Sequence, residues 1–168
     1  MKFKDLREFI SFLENKGELR RITAPVSHEL EITEITDRVI KAGGPALLFE
    51  NVTGFDTPLL VNMYGSHQRV AWALGVEHVD DLVGRVEGLL DLMHGPPKGI
   101  MNKLRTLSQL VQMGSFQPKT VNNGPCQEVV IQGDDVDLYK FPILKCWPLD
   151  GGSFITLPLV ITKDPETG

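Results

Sequence analysis

The sequence predicts an α/β (α+β) N-terminal domain followed by a run of strands with little helix to cover them. Three observations carry this. Capped amphipathic helices alternate with short apolar strands up to about Gly114. A turn-rich connector, "SFQPKTVNNGPC", comes next. Beyond it lie three strand candidates, Gln127 to Gln132, Phe141 to Lys145 and Phe154 to Lys163. The expected organisation is residues 1–114 as the α/β domain, 115–124 as connector and 125–168 as the β-rich part.

In the first helix, Asp5-x-x-Glu8 reads as a capping box, with Leu6, Phe9, Ile10 and Leu13 at helical spacing behind it. Gly17 stands where a left-handed cap ends the helix. "ELRRIT" is a short strand. Glu31 to Ala42 is a second helix with Ile32, Ile35 and Val39 inward, stopped by Gly43-Gly44-Pro45. "ALLFEN" and "PLLVNMY" are apolar strands around a turn at Thr53-Gly54. Helices follow at Ser66 to Leu74, Val79 to Met93 and about Met101 to Met113. In the longest, Val79, Leu82, Val83, Val86, Leu89, Leu90 and Met93 make one broad apolar stripe. Phe154 to Lys163 is rich in β-branched residues, and Asp164-Pro165-Glu166-Thr167-Gly168 has the residues of a turn.

Composition narrows the function. The chain has 42% hydrophobic and 23% charged residues over 168 positions, enough for one good core. A formal net charge of −5 argues against a general nucleic-acid binder. No apolar run approaches a membrane span, and "MKFKDLREF" has no secretory apolar region. Cys126 and Cys146 fit no C-x-x-C pattern, so the expected compartment is the cytoplasm with both thiols reduced.

No catalytic set is complete on residue types alone. Gly43-Gly44-Pro45 and Gly151-Gly152 continue into neither a P-loop nor a G-x-G-x-x-G pattern and read as turns. His28, His67, His78 and His94 lack metal-ligand spacing, so surface or capping roles are expected. Asp134-Asp135-x-Asp137 lacks the later ligands of a calcium site and reads as an Asx-type turn. Glu34 and Arg38 are an i, i+4 pair on a solvated helix face. Cys146-Trp147-Pro148 reads as a buried structural cysteine. Pro158 removes a ladder donor and marks an edge, a bulge or a close approach by a ligand.

Taken in order, "DLREFISFLENKGELRRI", "LEITEITDRVIKAGGPALLFENVTG", "PCQEVVIQGDDVDLYKFPILKCWPLDGG" and "FITLPLVITKDPETG" resemble the N-terminal portion of a UbiD-family decarboxylase. The resemblance implies that residues 125–168 hold the first strands of a split β-barrel, flavin-binding domain, and that Gly168 closes the turn of a hairpin whose second strand, with an N-x-G-x-Y-R-like motif, lies beyond it. It implies reversible decarboxylation of an aromatic or α,β-unsaturated acid, 3-polyprenyl-4-hydroxybenzoate in ubiquinone-pathway members. Prenylated FMN is the implied cofactor, with Mn2+ and K+ at its phosphate. The implied partners are a UbiX-type prenyltransferase that supplies the cofactor, a second copy in a homo-oligomer, and a membrane surface where the substrate is polyprenylated.

Of the family's site residues only Thr156 is matched here. It stands where members place a Thr on the first barrel strand beside the flavin; read without the family, it is a β-favouring Thr on a strand face. The family often has Gly near Pro158, a departure in this chain. No catalytic residue and no metal ligand is matched, so the chain by itself is expected to be inactive and to hold neither flavin nor Mn2+. A stand-alone binding or assembly module and one subunit of a split decarboxylase are the alternatives.

Overall fold

The computed structural model describes residues 3–93 and 120–168. The helix expected at Met101 to Met113, His94 and the first half of the connector lie outside them. The chain forms two compact units, Met1–Gly75 with Asp137–Gly168, and Val76–Val136.

The first unit is built on a small mixed sheet. Helix α1 (Leu6–Asn15) begins at Asp5, whose carboxylate accepts from the Glu8 amide at 2.9 Å, while the Glu8 carboxylate accepts from the Lys4 amide. The Asp5 half of the expected capping box is formed, while Glu8 reaches one residue further back, to the Lys4 amide instead of the Asp5 amide. Gly17 ends the helix at φ 73°, a conformation that costs glycine little. Strand β1 (Leu19–Ile22) follows. Helix α2 (Glu31–Lys41) then leads back through Gly43 to β2 (Ala46–Phe49), which pairs with β1 in parallel. The turn at Gly54 returns the chain as β3 (Leu59–Val61), antiparallel to β2. The strand order is β1-β2-β3, so β2 is central.

Alternation along β2 explains the two cores. Leu47 and Phe49 join Val26, Ile32, Val52 and Leu144, with Ile35 and Val39 of α2 against them. Ala46 and Leu48 join Phe9, Leu13 and Leu19 on the other cluster. Successive side chains of a strand point to opposite faces, so a strand buried along its whole length must serve two cores. Each fully buried Leu, Ile or Phe contributes about 1.5–3 kcal/mol. An aromatic group extends the α1 cluster, where Trp72 meets Phe12 edge-on at 5.3 Å.

Helix α3 (His67–Ala73) is capped by Ser66, whose hydroxyl accepts from the Arg69 amide at 3.2 Å. Arg69 is 1% exposed. Its guanidinium donates to Glu18 at 2.6 Å and to the Gly44 carbonyl at 3.3 Å, and its Nε is buried without a partner. Beside it Asn62, at φ 57°, donates to the carbonyls of Gly44 and Pro45. A Cβ on Gly65 would sit 1.6 Å from the Asn62 amide oxygen, so any other residue there would have to displace the Asn62 side chain. The turns before β1 and β2 and the turn after β3 thus meet on one buried cation.

On the surface, Arg21 bridges Glu14 and Glu50, which holds the Glu14 carboxyl below its usual range through the Arg21 hydrogen bond. Glu34 and Arg38 form the expected exposed pair at 2.6 Å.

In the second unit, α4 (Asp81–Met93) occupies most of the longest expected helix. Val83, Val86 and Leu90 of its apolar stripe are exposed. Pro125–Gln127 and Gly133–Asp135 are short 3₁₀ turns.

Two strand expectations fail in the described residues. Residues 128–132 carry no ladder, and neither does Phe154 to Lys163, which runs exposed to solvent. A β-branched sequence makes a strand only when another backbone supplies successive ladder bonds, and among the described residues these segments are assigned to no strand. Of Phe141 to Lys145, only Lys145 is bridged, in parallel with Glu29.

Candidate functional site

The candidate site region is the first unit's C-terminal segment, 138–156, which shares a groove with β3. Its anchor is Leu144, buried in the α2-side core. The Lys145 amide donates to the His28 carbonyl at 3.3 Å, and the Lys145 carbonyl accepts from the Leu30 amide at 2.9 Å. Leu30 takes φ 63°, a left-handed conformation costing a non-glycine residue about 1–3 kcal/mol, and the Lys145 bond helps hold it there. The Phe154 amide donates to the Leu144 carbonyl at 3.0 Å, which brings the start of the last segment back alongside.

Between these pieces lies an open groove of about 420 Å³. Leu59, Val61, Phe141, Leu144 and Phe154 form its apolar walls, and the hydroxyls of Thr57 and Thr156 are the side-chain polar groups in the lining. Its volume falls within the usual range for small-molecule sites. No Lys or Arg lines it, so the walls suit the flat face of an apolar ring and offer no counter-charge to a phosphate. A smaller pocket of about 200 Å³ lies beside it, walled by Phe55, Leu138, Tyr139 and Phe141 with His28 at one side. The His28 ring meets Phe55 edge-on at 4.8 Å.

Thr156 lies in the groove wall, exposed, on a bend ahead of Leu157. Leu157 has φ 56°, in the region that favours glycine, directly before Pro158. Asp137 forms an Asx turn, accepting from the Tyr139 amide at 2.8 Å. Cys146 is a free thiol, partly buried against the α2-side core. No group of three or more His, Cys, Asp or Glu side chains among the described residues is placed to hold a metal ion. No helix there is long and apolar enough to cross a membrane.

The Asp164 turn forms as its residues imply. The carboxylate accepts from the amides of Thr167 and Glu166, each at 2.9 Å, and the Thr167 bond leads in holding its pKa below the usual value. A depressed carboxylate pKa means the turn is favoured above the ordinary Asp range and lost as pH falls through the lowered value. The amide shifts of Thr167 and Glu166 should therefore titrate together, with a midpoint below the ordinary value of about 3.9. A midpoint at or above that value would show the bonds to be absent in solution.

The groove itself escaped sequence reasoning, since its walls come from segments some eighty residues apart that share no motif. Arg69 escaped as well, although a signal existed. Spacing from Trp72 and Ala73 puts it on the inward face of α3, where a cation demands a partner.

Comparison with known proteins assigns these features to a family. Residues 10–86 match the model of the 3-octaprenyl-4-hydroxybenzoate carboxy-lyase N-terminal domain, and residues 119–168 match that of the same enzyme's Rift-related domain. The chain belongs to the UbiD family. An uncharacterized protein of Archaeoglobus fulgidus is 48% identical over all of this chain, which covers 34% of that protein. An evolved dimeric form of the UbiD-class enzyme HmfF from Pelotomaculum thermopropionicum, in complex with prFMN, is similar at TM-score 0.70 and 27% identity, over 99% of this chain and 34% of that one. The closed form of the vanillic acid decarboxylase of Sedimentibacter hydroxybenzoicus is similar at TM-score 0.65 and 26% identity, over 91% of this chain and 29% of that one. The chain thus spans about a third of the length of these relatives.

Proposed function

We propose that this chain supplies the N-terminal α/β domain (residues 1–114), the connector (115–124) and the beginning of the flavin-binding β-barrel (125–168) of a prenylated-FMN-dependent decarboxylase acting on an aromatic or unsaturated carboxylic acid. The observation that carries this reading is the order of the two family matches, 10–86 then 119–168, along one chain. The similarity over 99% of the chain to an enzyme structure in complex with prFMN supports the cofactor, and the dimeric form of that relative supports a homo-oligomer. A cytoplasmic setting and cofactor supply by a UbiX-type prenyltransferase belong to the same proposal.

Thr156 is the residue of this chain proposed to touch the flavin, by donating its hydroxyl to a ring or phosphate oxygen. When bound, the cofactor serves as the electron sink for loss of CO2. This chain's part is to wall the ring with apolar side chains and to orient it through one hydroxyl. Within this proposal no metal ligand and no proton donor is assigned to the residues of this chain.

The test transplants residues 1–168 in place of the matching third of HmfF, co-expressed with a prenyltransferase. The purified chimaera should carry the visible absorption of the bound flavin and release CO2 from an aromatic or unsaturated acid. A folded chimaera with neither property sinks the proposal. Within it, Thr156→Val should weaken flavin binding about 2- to 10-fold, the worth of one hydrogen bond. Unchanged affinity would remove Thr156 from the site and leave the family reading intact.

A further inference from the structure

We draw no further inference here: the strongest candidate, the apolar groove between β3 and residues 138–156, carries nothing because nothing in the structure shows what covers it.

Discussion

Glu18→Ala is expected to destabilise the protein by about 3–5 kcal/mol, more than Arg69→Met, although Arg69 is the larger and deeper partner. The asymmetry follows from which charge is left behind. Removing the Glu18 carboxylate strands a guanidinium that is 1% exposed and keeps, among the described residues, only the Gly44 carbonyl as its hydrogen-bond partner. Its Nε already lacks a partner, so the remaining cation is poorly solvated from the start. Removing the cation leaves a Glu18 side chain that is 38% exposed and can be rehydrated. Methionine also keeps much of the buried stem's volume, so Arg69→Met should cost less than about 2 kcal/mol. The double variant should recover part of what Glu18→Ala loses, because the stranded charge is gone. Urea midpoints at unchanged slope decide the matter. If Arg69→Met proves the costlier single change, the stranded-charge account is wrong.

That cluster also marks where sequence reasoning stops. Local rules were sufficient for α1, because its cap, its apolar spacing and its terminal glycine each act on neighbours about one helical turn away. They were sufficient for β2 as well, since an unbroken apolar run has few alternatives to a buried central strand. Arg69 needed knowledge of Glu18 and Gly44, which are distant in sequence and adjacent only after β1, β2 and β3 align. The last segment fails for a related reason. Phe154 to Lys163 has a strand's composition, yet composition sets only a preference and a partner backbone sets the state. Thr156 was located by resemblance, with nothing local to distinguish it from any strand threonine. The groove beside it depends on how Leu144 and Lys145 are pinned to the α2 entry, a contact no spacing encodes.

Phe49→Ala should both destabilise the first unit and loosen the site segment, while an equally buried residue on the other cluster should do only the first. Phe49 is fully buried at the end of β2, in the cluster that contains Leu144 and has Cys146 packed against it. Truncation there removes the ring and leaves a cavity, at a cost of about 3–5 kcal/mol. The cavity opens beneath the segment whose anchor is Leu144, so local opening of residues 144–146 becomes easier than global unfolding. Leu13 is also fully buried but lies in the α1 cluster, and Leu13→Ala should cost about 2–5 kcal/mol. The Cys146 thiol reports the difference directly. In a Cys126→Ser background and under conditions where the protein stays folded, thiol labelling should quicken markedly in Phe49→Ala. Leu13→Ala should label close to the parent rate once its own stability loss is subtracted. Equal acceleration by both would mean that Cys146 opens only with the whole unit, and that Phe49 has no special hold on the wall of the groove.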